Sequence, residues 1–127
     1  MTAITWYSID RTLKVESHEP VDLNGALKII DQHLSNYKLK YDSGEDALAA
    51  SMFGFSRGDN DFIEICINGL NLISVEIELP SVKSNSILNI FKNNYKYIET
   101  LDSTYELQKR THQYFTLSPK ELIGQLK

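Results

Sequence analysis

The sequence has one cysteine and no long apolar run. A single cysteine, Cys66, excludes an internal disulfide and a zinc site built from several cysteines. No apolar stretch approaches the roughly 20 residues that a membrane helix needs. The first residues lack the basic-then-apolar pattern of a secretory signal. We therefore expect a cytoplasmic protein, in a reducing compartment, with no membrane partner.

Basic residues are fewer than acidic residues. Thirteen lysines and arginines stand against seventeen aspartates and glutamates, which gives a net charge of −4. Binding to phosphates needs a concentrated basic face. The one basic pair, Lys109-Arg110, is better explained as part of a solvated helix face. We expect no nucleic-acid partner.

The common catalytic and metal-binding motifs are missing. The glycines are dispersed, and they form neither a phosphate-binding loop nor a nucleophile elbow. His18, His33 and His112 lack the spacing of metal ligands. Cys66 lies within an isoleucine-rich strand pattern, where a cysteine usually packs as a small apolar side chain. The sequence thus predicts a protein that is not an enzyme, with no metal and no cofactor.

The length and composition fit one folded domain. The chain has 127 residues, of which 42% are hydrophobic, so we expect a single domain over residues 1–127. Residues 22–36 have a helical apolar period that begins at Asp22, a favourable N-cap. Two later helices are predicted after Ser103 and Ser118, because each serine has a glutamate three residues ahead and so forms a capping box.

Between these helices the apolar period becomes two, which is typical of strands. The pattern predicts strands at residues 49–57, 61–68 and 72–79, and it suggests a shorter strand at Leu39 and Tyr41. Short loops that end in asparagine connect the three longer strands as hairpins. The fold class is therefore α+β, an antiparallel meander of about four to six strands with one face covered by an N-terminal helix and C-terminal helices.

Other segments are shorter. Residues 4–9 are predicted to form a strand, and Leu13 and Val15 alternate with polar residues in a second one. A short amphipathic helix is expected after Ser84, whereas residues 95–101 fit either a helix or an edge strand.

The apolar pattern also fixes the register of the central hairpin. Pairing Ile65 with Val75 places the aliphatic side chains of both strands on one face, whereas a slip of one residue would bury charge. On the opposite face Glu64 then lies directly across from Glu76, with Glu78 one step along the strand. Like charges opposed in this way destabilise a sheet by a few tenths of a kcal/mol to about 1 kcal/mol.

Three explanations of these carboxylates remain open. The face is solvated and its repulsion screened by salt, or it binds a basic protein partner, or the carboxylates act as an acid–base pair or metal clamp. Pairs of the last kind normally lie in a cleft and, for a metal, need further ligands. The candidate partner-binding residues are these three glutamates and two aspartates near one end of their row. They are Glu64, Glu76, Glu78, Asp59 and Asp61.

The central strands resemble a known family. The segments Phe53–Arg57 (FGFSR), Phe62–Ile65 (FIEI) and Ile73–Pro80 (ISVEIELP), with Gly69 before the last, resemble the central meander of small bacterial immunity proteins. Those proteins are the cognate inhibitors encoded beside polymorphic or contact-dependent toxins. The resemblance covers the meander alone and contains no catalytic motif. It implies a cytoplasmic protein that binds one toxin domain tightly and blocks its active site.

We therefore expect a non-enzymatic binding protein, most concretely a toxin-neutralising immunity protein whose acidic strip complements a basic toxin domain. One alternative is a small enzyme or ligand-binding domain with a pocket between the sheet and the helices. Another is a structural subunit that forms a homodimer through a sheet edge or a helix.

Overall fold

The computed structural model describes residues 3–10, 12–44, 52–70, 72–80 and 95–126. In chain order the elements are β1 (Thr5–Ile9), β2 (Val15–Pro20), α1 (Leu23–Asp42), β3 (Met52–Gly58), β4 (Asp61–Gly69), β5 (Leu72–Leu79), β6 (Tyr95–Leu101), α2 (Thr104–Thr116) and α3 (Pro119–Leu126). The strands form one six-stranded antiparallel sheet in the order β2-β1-β3-β4-β5-β6. The predicted α+β class is confirmed.

The central strands pair in the predicted register. Ile65 lies between Phe53 on β3 and Val75 on β5. Because side chains alternate along a strand, this register gathers the apolar residues on one face of the sheet, which we call the inner face. Its buried side chains are Phe53, Phe55, Ile63, Ile65, Ile67, Ile73, Val75, Ile77, Leu79 and Leu101.

The turns that join these strands show how that register is kept. Gly58 pairs with Asp61, and the register shifts by one residue just before this turn. Gly69 and Leu72 repeat the arrangement at the next turn. Asn60 has a φ of 61°, the left-handed conformation that an asparagine tolerates at the end of such a turn.

α1 is longer than the sequence predicts. It begins after Asp22, whose Oδ1 accepts a hydrogen bond of 2.7 Å from the Gly25 amide, and it continues to Asp42. The predicted strand at Leu39 and Tyr41 is therefore wrong. The ring of Tyr41 stacks on the buried Tyr37 one turn earlier, so the helical contacts extend beyond the apolar stripe that marked the helix in the sequence.

The C-terminal helices begin where their capping boxes predict. Ser103 accepts a hydrogen bond from the Glu106 amide, and Ser118 accepts one from the Glu121 amide while the Glu121 carboxylate accepts one from the Ser118 amide. Residues 95–101, which the sequence left undecided, form strand β6. The helix expected after Ser84 lies outside the described residues.

All three helices pack on the inner face. His33 of α1 stacks on Phe53, and Phe115 of α2 meets Phe55 edge to face. Leu122 and Leu126 of α3 belong to the same buried cluster as the strand residues. The other face of the sheet, which we call the outer face, is therefore turned away from these helices. No helix in the described ranges is long and apolar enough to cross a membrane.

Candidate functional site

Five strands each contribute one residue to a row across the outer face. In register this row consists of Tyr7, Gly54, Glu64, Glu76 and Ile98. The predicted opposition of Glu64 and Glu76 is confirmed, because the two residues are direct partners in the β4–β5 ladder. The two glutamates lie at the centre of the outer face.

A second row lies beside the first. Here Glu78 has Phe62 as its partner on β4 and Lys96 as its partner on β6. We call Glu64, Glu76 and Glu78 together the acidic strip. Ile98 flanks this strip on β6 and is 69% exposed, so the outer face combines carboxylates with accessible apolar surface.

Tyr7 reaches the acidic strip from two strands away. Its hydroxyl donates a hydrogen bond of 3.0 Å to Glu64 Oε1. The intervening residue is Gly54, and a Cβ atom placed there would lie 2.5 Å from the Tyr7 hydroxyl oxygen and 2.5 Å from the Ile63 carbonyl oxygen. The absence of a side chain at Gly54 is therefore what lets the Tyr7 ring cross β3.

The surroundings of Glu64 disfavour its negative charge. Burial raises the pKa of the Glu64 carboxyl, and the nearby charge of Glu76 raises it further, whereas the hydrogen bond from Tyr7 lowers it. Burial and the Glu64 charge also raise the pKa of Tyr7, so the phenol remains a donor. A cation placed between Glu64 and Glu76 would relieve the repulsion between them.

The two aspartates of the predicted site differ in their surroundings. Asp61 is engaged within the molecule, since its Oδ1 lies 3.1 Å from Arg57 Nη2 and accepts a hydrogen bond of 2.7 Å from the Tyr114 hydroxyl. The Arg57 guanidinium also lies 4.4 Å from the centre of the Tyr114 ring. Asp59 is exposed in the β3–β4 turn. The structure thus ties Asp61 to α2 and leaves Asp59 at the surface.

The ion pairs of the described residues do not neutralise the centre of the acidic strip. One pair joins Arg57 to Asp61, and the other joins Arg110 of α2 to Glu99 of β6, with a distance of 2.7 Å between Nε and Oε2. Within the described part of the chain, Glu64 and Glu76 have no lysine or arginine in an ion pair with them. Their mutual repulsion therefore persists in the folded chain.

Cys66 lies next to the acidic strip on the outer face, opposite Ser74. Its thiol donates a hydrogen bond of 3.3 Å to Asn68 Oδ1. Burial raises the pKa of this thiol, and so does the charge of Glu64, which disfavours the reactive thiolate. Among the described residues, no three histidine, cysteine, aspartate or glutamate side chains come together as a metal site.

Sequence reasoning missed an aromatic cluster on the other side of β1. Trp6 stacks on His18 with 3.8 Å between the ring centres, and His33 meets Trp6 edge-on at 6.2 Å. Ser8 Oγ lies 2.9 Å from His18 Nε2, and His33 Nδ1 lies 2.9 Å from the Ile29 carbonyl oxygen. The histidines are separated widely in the sequence, so only the fold reveals that they flank one ring.

Compared with family models, curated proteins and solved structures, the chain matches none of them. Its function is therefore inferred from the geometry of the outer face.

Proposed function

We propose that this chain is a non-enzymatic, cytoplasmic binding protein that neutralises a basic cognate toxin domain. The observation that supports this most directly is the pair of opposed carboxylates on β4 and β5. Glu64 and Glu76 are ladder partners, and no ion pair to a described lysine or arginine offsets their repulsion. A cationic partner would remove this cost on binding.

The rest of the outer face suits a protein partner. Interfaces are enriched in aromatic and apolar anchors, and their charges set the register and speed the encounter. Ile98 and Phe62 provide apolar surface beside the acidic strip, and Tyr7 provides an amphipathic ring. We assign the contact to Glu64, Glu76 and Glu78, with Asp59 at the margin. Asp61 is left out because its carboxylate already holds Arg57 and Tyr114.

The test begins with the partner itself. The tagged chain is used as bait in a lysate of its host, and the captured protein is identified and purified. We expect a basic toxin domain, and we expect co-expression of the full chain to protect cells against it. Association rates are then measured at two salt concentrations for the natural chain and for the double variant Glu64→Gln with Glu76→Gln.

Electrostatic steering predicts the outcome of the rate measurement. The double variant should associate more slowly by about tenfold at low salt and should lose much of its salt dependence. The matched control is Asp31→Asn with Asp42→Asn, which removes two exposed carboxylates from α1 and should leave the rate unchanged. Equal rates for the two double variants would contradict a role for the acidic strip. A partner without toxicity would contradict neutralisation.

A further inference from the structure

The two edges of the sheet differ in how they are protected against pairing with another strand. Edge strands are commonly guarded by a bulge, a proline or charged side chains. β2 has all three, because its register to β1 shifts once, Pro20 ends the strand, and Glu16 and Glu19 are exposed. The β2 edge is therefore a poor template for a further strand.

β6, at the other edge, is regular. Its ladder to β5 runs over seven residues, Tyr95–Leu101, without a register shift, and β5 is its only strand partner among the residues that the structure describes. Of its two charged side chains, Lys96 and Glu99, the second is already in an ion pair with Arg110. The middle residue of the strand, Ile98, is 69% exposed. This edge thus offers an unguarded template with an apolar centre.

The residues of β6 decide how a second copy of the strand can pair with it. Two identical antiparallel strands in one sheet are related by a twofold axis perpendicular to the sheet, so residues of the same face oppose one another. An axis through Ile98 overlaps both strands over their full length. An axis through Glu99 would oppose two glutamates, and an axis through Tyr97 would pair only residues 95–99 of each strand. The sequence of β6 therefore favours the register centred on Ile98.

We propose that two copies of the chain associate through β6, antiparallel about a twofold axis through Ile98, so that their sheets become continuous. The two exposed isoleucines then bury each other on the outer face, and main-chain hydrogen bonds along the edge add to this contact. Lys96 faces the neutral Thr100 of the other copy, so no like charges are directly opposed on this face. The two Glu76 residues lie three strand spacings apart, about 14 Å, which exceeds the screening length at physiological salt.

The proposed dimer is small and leaves the acidic strip accessible. A contact along seven residues of one strand is smaller than the roughly 1,200–2,000 Å² of a standard protein interface. We therefore expect a dissociation constant in the micromolar range. Because the twofold axis keeps both outer faces on the same side, each copy still presents its acidic strip. The dimer goes beyond the toxin-binding function and does not depend on it.

The strength of the association is measured by sedimentation equilibrium of the full chain between about 1 and 1,000 µM. We expect the average mass to rise from that of one chain toward that of two. Ile98→Asp should raise the dissociation constant at least about tenfold, because it opposes two carboxylates and removes the apolar contact. The matched control is Val15→Asp, which changes an exposed apolar residue on the guarded β2 edge and should leave the mass unchanged at each concentration.

Single cysteines in a Cys66→Ser background test the register. Directly opposed residues of antiparallel strands have Cα atoms about 4.5–5.5 Å apart, a distance that suits a disulfide. Ile98→Cys should therefore crosslink two copies on oxidation. Lys96→Cys and Thr100→Cys should each stay uncrosslinked, because the two copies of either residue are offset by about 13 Å along the strands. A mixture of these two variants should crosslink.

Four outcomes would overturn the proposal. The natural chain could stay monomeric over the whole concentration range, Ile98→Asp and Val15→Asp could weaken association equally, Ile98→Cys could fail to crosslink, or all three cysteine variants could crosslink alike. A monomeric chain whose binding to the toxin is weakened by Ile98→Asp would instead assign this edge to the toxin. The mass and crosslinking measurements need only the purified chain, so their result is independent of the function proposed for the acidic strip.

Discussion

The Tyr7 hydroxyl donates its hydrogen bond to Glu64 across Gly54, two strands away along the same row of the sheet. Three strands are thereby joined on the outer face by one side chain. The contact requires both an empty position on β3 and a carboxylate on β4. It also offsets part of the repulsion from Glu76, because a hydrogen-bond donor favours the ionised carboxylate, but burial and the Glu76 charge still leave the pKa of Glu64 raised.

Gly54→Ala should destabilise the fold. The added Cβ atom would come within 2.6 Å of the Tyr7 ring and within 2.5 Å of the Ile63 carbonyl oxygen, so both the ring and the backbone would have to move. We expect a loss of about 1–3 kcal/mol in the free energy of unfolding, measured by urea denaturation. The matched control is Gly124→Ala in α3, where nothing lies within 4 Å of the added atom. That substitution should stabilise the helix by about 0.5–1 kcal/mol, and equal effects at the two sites would contradict the crossing of Tyr7 over Gly54.

Glu64→Gln should stabilise the chain at neutral pH. Because the pKa of Glu64 is raised in the folded state, that state binds more protons than the unfolded state above the ordinary carboxyl pKa, and stability falls as pH rises through the raised value. Glutamine still accepts the hydrogen bond from Tyr7 and removes the repulsion from Glu76. We expect a gain of a few tenths of a kcal/mol to about 1 kcal/mol at pH 7, measured by urea denaturation. The gain should shrink at pH 4.

The control for this substitution is Glu16→Gln, which changes an exposed strand glutamate outside the acidic strip. It should alter stability by less than about 0.5 kcal/mol. A loss of stability in Glu64→Gln at pH 7 would show that contacts within the chain already stabilise the ionised Glu64 carboxylate when no partner is bound.

His33 should make stability fall in mild acid. Burial lowers the pKa of its imidazole, and the nearby His18 lowers it further. As pH falls below about 6.5 the unfolded state therefore takes up a proton that the folded state resists, which costs at most about 1.4 kcal/mol per pH unit until the lowered pKa is reached. Denaturation between pH 8 and pH 5 can be followed by the fluorescence of Trp6, the only tryptophan.

Two variants isolate the His33 contribution. His33→Gln should flatten the fall in stability between pH 6.5 and the lowered pKa, whereas His112→Gln, at an exposed position of α2, should retain it. If the fall persists unchanged in His33→Gln, another group is responsible for it.

Substitution of Asp61 and of Asp59 should have different effects on the free energy of unfolding. Asp61→Asn removes the negative charge that pairs with Arg57 and weakens the acceptor of the Tyr114 hydrogen bond. The pair is largely buried, since the Arg57 and Asp61 side chains are 18% and 15% exposed. We expect a cost of about 1–3 kcal/mol in urea denaturation. Asp59→Asn, in the exposed turn, should change stability by less than about 0.5 kcal/mol. The reverse ranking would return Asp61 to the set of candidate partner contacts.

The sequence predicted those features that depend on neighbours along the chain. The register of β3, β4 and β5 follows from apolar alternation, because a slip of one residue would bury Glu64 or Glu76. The starts of α2 and α3 follow from local capping boxes. The end of α1 was mispredicted because Leu39 and Tyr41 also fit a strand period and the stacking of Tyr41 on Tyr37 is a property of the folded helix.

Contacts between distant segments could not be predicted in the same way. No local pattern places β1 beside β3, so the row from Tyr7 through Gly54 to Glu64 was invisible in the sequence. The pairing of Asp61 with Arg57 and Tyr114 required knowing which helix lies over the end of β4. The carboxylates of the candidate site were identified from alternation alone, whereas their partners needed the fold.

The position of β1 has a consequence for the order in which the chain assembles. β1 is synthesised early, but one of the two strands it pairs with is β3. Thr5 can therefore pair with Ser56 only after α1, which lies between them in the chain, has been synthesised. The hairpins of β3, β4 and β5 close through short turns, so forming each contact loses far less chain entropy than pairing β1 with β3. We therefore expect the central meander to serve as a template on the ribosome, with the N-terminal hairpin docking last.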